Sequence, residues 1–156
     1  NINNLSSSSP KFSLEVLQNL NKDILQQYTF DDIREKFKEN GINDLNENFW
    51  LFIKNNIEFF NQCLEWKNII FSSFDITSLN KDFLEQSVIL LPPEPYNINT
   101  WDEWTNLIKH KTGLKGKNLF MPLRIALTGR DKGPELKYLL PLLNRDLILK
   151  KFNIIT

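Results

Sequence analysis

The sequence predicts an all-α protein. Apolar residues recur three and four apart from Ser13 onward, and Ser, Thr or Asn stands before most of those segments. No stretch shows the strict two-residue alternation of a half-buried strand. Four of the five glycines lie between residues 113 and 133, where they cut the pattern into helix end, loop, helix, loop, helix.

Residues 1–10 are polar and serine-rich and read as irregular chain. Phe12 and Leu17 flank Ser13 as a hydrophobic staple around a serine cap, opening a helix to about Gln26. Leu14, Val16, Leu17, Leu20 and Ile24 form its apolar face. Thr29 caps a second helix, which Asn40-Gly41 ends. Residues 48–66 carry the longest helical pattern, with Phe49, Trp50, Phe52, Ile53, Ile57, Phe60 and Leu64 on one face. Residues 69–74 are β-branched and aromatic, but isolated from any strand partner, so they read as a helical extension or buried connector.

A seam at residues 75–78 divides the chain into two small helical subdomains, 1–75 and 76–156. Beyond it, Asn80 or Ser78 caps a helix to about Val88, and Pro92-Pro93-Glu94-Pro95 enforces extended backbone. Thr100-Trp101-Asp102-Glu103 has the spacing of a capping box for a helix ending at Gly113. The next helix places Leu119, Leu123, Ala126 and Leu127 on one stripe, with Arg124 and Thr128 on the outward face. Gly129 ends it, and Gly133-Pro134 reads as a new start with proline in the first helical position. Asn144 caps the last helix, to about Phe152.

With 156 residues the chain can bury one ordinary core or two small ones, and 41% hydrophobic content excludes a disordered chain. Net charge is zero but unevenly spread. Residues 109–137 hold eight Lys/Arg against Asp131 and Glu135, a local balance of +6, which leaves −6 for the remainder. Such a basic field, beside glycine loops and a helix start, suits a phosphate-rich or base-rich ligand. Cys63 is the only cysteine, which excludes an internal disulfide and fits a reducing, cytoplasmic setting. No apolar run approaches the roughly 20 residues of a membrane span, no signal-peptide pattern is present, and Asn1 reads as a cut inside a longer protein.

The residue types for catalysis are missing. His110 is the only histidine, so neither a zinc set nor a Ser-His or Cys-His pair can be assembled. Gly113-x-x-Gly116-Lys117-Asn118 has the wrong spacing for a phosphate loop and lacks its Ser/Thr. Asp31-Asp32 and Asp102-Glu103 stand at helix starts, where dipole compensation explains them. The binding candidates are therefore cations and rings. Arg124 can present a fork to a base edge or phosphate, or it can pair with a nearby carboxylate. Trp101 and Trp104 could each stack a base, although their three-residue spacing favours core packing. Leu136 reads as core on pattern alone, and turn chemistry accounts for Gly133 and Pro134 equally well.

One segment goes further. Lys117-Asn-Leu-Phe-Met-Pro-Leu-Arg-Ile-Ala-Leu-Thr-Gly129, followed by Gly133-Pro-Glu-Leu136, closely resembles the carboxy-terminal anticodon-binding region of bacterial glutamyl-tRNA synthetases. Phe12-Ser-Leu-Glu-Val-Leu-Gln-Asn-Leu-Asn-Lys-Asp-Ile-Leu25 is similar to the segment opening that region, and residues 101–113 to the helix before the signature. The resemblance implies the helical anticodon-binding fold of a class I aminoacyl-tRNA synthetase. It implies anticodon contacts at Arg124, Thr128, Gly133, Pro134 and Leu136, with Lys115, Lys117, Arg130 and Lys132 on the tRNA backbone. The implied parent ligates glutamate to tRNA through a glutamyl-adenylate, using ATP and Mg2+. Signatures of the His-Ile-Gly-His and Lys-Met-Ser-Lys-Ser kinds are absent, so this portion is expected to be inactive alone and to need no cofactor.

The expected partner is tRNA, of the glutamate or also the glutamine isoacceptor, bound by a monomer away from membranes. The sequence departs from the family at one place. Where basic residues often line the long helix, it has Lys54 followed by Asn55-Asn56-Ile57-Glu58-Phe59-Phe60, which leaves room for a relative charging the glutamine tRNA. The reading from another class is a helical protein-interaction module, which predicts no salt-dependent binding of tRNA.

Overall fold

The computed structural model describes residues 13–43 and 46–154. The reading of residues 1–10, and Phe12 of the staple, lie outside the described residues. Among the described residues the helices are α1 (Leu14–Gln27), α2 (Phe30–Glu39), α3 (Glu47–Ile53), α4 (Gln62–Phe71) and α5 (Lys81–Ile89). α6 (Thr100–Thr112), α7 (Lys117–Thr128), α8 (Leu136–Leu139) and α9 (Arg145–Lys151) follow, with a 3-10 turn at Leu140–Leu142 between the last two. No strand occurs among these residues.

The caps behave largely as their residue types require. Ser13, Asn80 and Asn144 each accept from a backbone N–H three residues on. Asn46, which the sequence pattern did not single out, caps α3 in the same way. Thr29 and Asp32 satisfy each other's backbone N–H in a reciprocal box.

Four expectations change. The 48–66 pattern is two helices, because Gln62 turns its amide oxygen back onto the N–H groups of Glu58 and Phe59, at 2.7 and 3.0 Å. The intervening turn still buries Ile57, so the apolar spacing survives although the helix does not. α4 continues through Phe71, the helical extension expected of the β-branched run. Thr100 is the first residue of α6 rather than its cap, and its hydroxyl accepts from the Asn97 N–H at 2.9 Å. Pro134 lies outside α8, whose cap position is Glu135. Finally, the apolar face of α1 points to solvent: Leu14, Val16, Leu17, Leu20 and Ile24 are all exposed, and only Leu25 of this helix is buried.

The hydrophobic residues form one cluster, in which α3 packs on α8 and α4 on α7. Its two fully buried tryptophans satisfy their indole N–H groups on backbone carbonyls, Trp50 on Tyr28 at 2.8 Å and Trp104 on Ser87 at 2.7 Å. Between α4 and α5 the Asp75 carboxylate accepts from the N–H and hydroxyl of Thr77. Lys151 of α9 reaches across to the end of α4, where its buried ammonium donates to Ile69 O at 2.8 Å and Ser72 O at 2.6 Å. There it completes carbonyls that a helix end leaves unpaired.

Candidate nucleic-acid interface

α7 carries the site, framed by two left-handed glycines, Gly116 (φ 53°) and Gly129 (φ 66°). A side chain at Gly129 would collide with the Phe74 ring, its Cβ falling 2.4 Å from Cδ1. Leu119, Leu123, Ala126 and Leu127 are buried as the stripe predicted. This leaves Arg124 to emerge on the other side, half-buried, with Nη1 donating to Pro134 O at 3.0 Å. Burial pulls its pKa below the usual arginine value, but a guanidinium keeps its charge throughout the physiological range. The carboxylate pairing weighed for Arg124 is replaced by this carbonyl.

Thr128 does not share the outward face. It is 1% exposed, and its hydroxyl donates to Arg124 O at 2.8 Å and accepts from the Arg130 N–H at 3.2 Å. A threonine in a last helical turn closes onto the carbonyl four residues back, and here that closure also starts the next loop. Pro134 and Leu136 are likewise buried, whereas Gly133 is exposed with φ 142°. Among the sequence-predicted anticodon residues, the structure thus brings Arg124, Pro134 and Leu136 to one place. Thr128 lies behind them as a helix terminator.

The basic residues separate by partner. Arg130 lies over the Trp66 ring at 4.8 Å and pairs with Glu65 of α4. Lys137 pairs with Glu135 at 2.7 Å, which raises its pKa. Lys109, Lys111, Lys115, Lys117 and Lys132 are exposed and have no ion-pair partner among the described residues. Lys115 and Lys117 flank Gly116 at the start of α7, whose first backbone N–H groups face the same loop.

A groove of about 340 Å³ opens beside Arg124, walled by Trp101, Phe120 and Leu136 and rimmed by Asp102 and the Glu135–Lys137 pair. Trp104 fills the core, as its spacing suggested, while Trp101 stays half-buried at the wall and meets the Trp104 ring edge-on at 5.9 Å. The rings of Trp101 and Phe120 lie 6.2 Å apart at 35°. Phe120 is 42% exposed and lies off the buried stripe, so apolar periodicity does not single it out. The signal available was a large ring displaced from the buried stripe of a helix that also carries an outward arginine. Lys54 and the following residues occupy the turn between α3 and α4, apart from any regular helix.

No group of three or more His, Cys, Asp or Glu converges among the described residues, and burial pushes the Cys63 thiol up to about 12. No described helix is long and apolar enough to cross a membrane. What the surface can do is hold a flat, partly apolar ligand against rings and a guanidinium, with anions attached to it.

A family model described as an anticodon binding domain matches residues 43–155. Over 150 residues the chain is 39% identical to glutamate–tRNA ligase 1 of Chelativorans sp. (strain BNC1), covering 94% of this chain and 33% of that protein. Glutamate–tRNA ligase 1 of Brucella suis biovar 1 is 40% identical over 143 residues, or 88% of this chain and 31% of the relative. The fold superimposes on a crystal structure of glutamate–tRNA synthetase from Elizabethkingia anophelis with a TM-score of 0.74, at 19% identity, over 91% of this chain and 31% of that one. The chain therefore spans about a third of the length of the relatives it matches.

Proposed function

The chain belongs to the anticodon binding domain family, and from that premise we propose that it is the anticodon-holding third of a glutamate–tRNA ligase. The observation that carries the reading is the groove beside Arg124: two rings, an anchored guanidinium and an apolar floor, at the edge of a basic field. An unstacked loop base offers a π-face and a polar edge, which is what such walls receive. Arg124 donates to the base, Trp101 and Phe120 stack on it, and Pro134 and Leu136 shape the pocket. Gly133 lets the chain pass close by. Thr128 acts from behind, by ending α7 where Arg124 is held. Lys115, Lys117 and Lys132 meet phosphates, and Arg130 adds its charge at the far side of the loop.

The whole ligase joins glutamate to tRNA through a glutamyl-adenylate with ATP and Mg2+. This portion contributes orientation: holding the anticodon loop places the distant acceptor end at the catalytic site. Residues 1–75 and 76–156 serve as two subdomains in sequence, joined at the Asp75 turn, with α3 packing on α8 and α4 on α7 across that turn. The described residues include no carboxylate cluster that would hold Mg2+, so no chemical step is assigned to them.

The test is binding of the chain to short RNA hairpins that carry an anticodon loop. A hairpin with the glutamate anticodon should bind more tightly than one with a single changed base, and equal binding of all hairpins overturns the reading. The run from Lys54 through Asn55, Asn56, Ile57, Glu58, Phe59 and Phe60, where the resemblance implies basic residues, leaves room for a second substrate, the glutamine tRNA. Charging of each purified tRNA by the complete ligase decides between one substrate and two.

A further inference from the structure

The cation that the sequence assigned to the tRNA backbone, Arg130, is engaged inside the protein, and its partners lie on one helix. Glu65 and Trp66 are neighbours on α4. The Arg130 guanidinium covers the Trp66 ring at 4.8 Å and pairs with Glu65. The far edge of the same ring approaches Gly133 so closely that a Cβ there would stand 2.7 Å from Trp66 Cη2. Trp66 is 4% exposed and meets the Phe52 ring edge-on at 5.5 Å, so it cannot swing away freely. Both halves of the loop between α7 and α8 therefore rest on one fixed indole. The loop exits through Pro134, whose carbonyl holds Arg124 Nη1.

We propose that Trp66, with Glu65 and Arg130, is a clasp that seats the 129–135 loop on α4 and thereby aims Arg124 into the groove. Trp66 is a positioning residue: it touches no ligand and acts through Pro134. The inference rests on the reading of the groove as a base site. It assigns a role in RNA recognition to a helix that contributes nothing to the groove walls, and it explains why only glycine fits at position 133.

The test is a double-mutant cycle between Trp66→Leu and Arg124→Ala, read by hairpin binding, melting and the NMR signal of the Arg124 side chain. Trp66→Leu should reduce the preference for the native over a base-changed anticodon hairpin by about ten-fold, the scale of one lost arginine–base contact. In the Arg124→Ala background it should change that preference no further. Without RNA, the Arg124 guanidinium signal should move toward that of a free arginine. If Trp66→Leu does not fold, Glu65→Ala opens the same clasp from an exposed position and should act in the same direction. Equal losses in both backgrounds, or a lower melting temperature with the preference and the Arg124 signal intact, overturn the clasp. An Arg124 signal that moves as expected while Arg124→Ala leaves the hairpin preference unchanged would instead sink the reading of the groove and keep the mechanical link.

Discussion

Under the proposed reading Arg124 has two tasks, and a pair of substitutions can separate them. Its Nη1 holds Pro134 O at 3.0 Å in a half-buried setting, and the residue lines the groove. Truncation to alanine leaves that carbonyl without its charged donor, a loss of about 1.5–3 kcal/mol. In a chain of this size the melting temperature should fall by roughly 3–12 °C. The sequence alone, with Arg124 pointing outward from the stripe, predicts almost no such cost. Losing a paired contact to a base removes a further 1–3 kcal/mol or so of discrimination, about ten-fold or more between native and altered anticodons. Arg124→Lys tells the two apart. An ammonium can still donate to Pro134 O and should recover most of the melting temperature, but it cannot present a planar pair of donors to a base, so the preference stays lost. Circular dichroism melts and hairpin binding on the same two variants make the comparison. If lysine restores the preference as well as the stability, the fork is not the reader. If alanine lowers the melting temperature and leaves the preference intact, Arg124 is a structural residue only.

Three other outcomes follow from the geometry. Binding of tRNA should weaken linearly in log–log terms as salt rises, and replacing Lys115 and Lys117 by alanine should flatten that slope by about 1.4 while leaving the preference among anticodons unchanged. Burial lowers the Lys151 pKa to about 8 from a free value of 10.5, so the unfolded chain holds the extra proton between those values. Stability should thus gain up to about 3 kcal/mol as pH rises from 8 to above 10.5 and lose it again as pH falls through 8. A Lys151→Met variant, melted in parallel, should lack that component. Leu20→Lys on the exposed face of α1 should shift the stability of this chain by no more than about 0.5 kcal/mol, and a large loss would mean that face is covered.

Helix existence was legible because it rests on local chemistry. Ser13, Thr29, Asn80 and Asn144 are caps in the sequence and in the fold, and Gly113 and Gly129 stop their helices in the left-handed conformation. The failures have a common physical origin in side chains that bond to backbone out of view of any periodicity. Gln62 breaks the long helix from outside its apolar stripe, Thr100 turns back to Asn97, and Thr128 closes its own helix instead of facing solvent. The stripe on α7 located Arg124 correctly, since burying four apolar residues leaves only one side for a cation. It could not reveal that Pro134 O would take one of the donors, or that Trp66 lies under the loop, because those partners are 10 and 67 residues away from Arg124 and Gly133. The exposed face of α1 shows the opposite limit: a helical moment states that a face is apolar, not what covers it.

The eight cations of the basic segment therefore differ in their partners, divided by chemical type. Both arginines are anchored, Arg124 by a carbonyl and Arg130 by an indole and a carboxylate, whereas five of the six lysines project into solvent without an ion-pair partner among the described residues. An ammonium on a flexible stem attracts phosphate over a distance and imposes little geometry, so under the proposed reading it would serve affinity and encounter for any tRNA. A guanidinium fixed at one nitrogen still has four N–H donors, and it has already given up the rotamer freedom that binding would otherwise remove. Its contact with a base is then favoured only where the edge of that base lies in the plane already set. Salt should accordingly act on the lysine contribution and leave the ratio between anticodons nearly constant, while perturbing the loop beneath Arg124 should change the ratio and barely touch the salt slope. The separation arises because the protein ties down its planar cations and leaves its point charges loose.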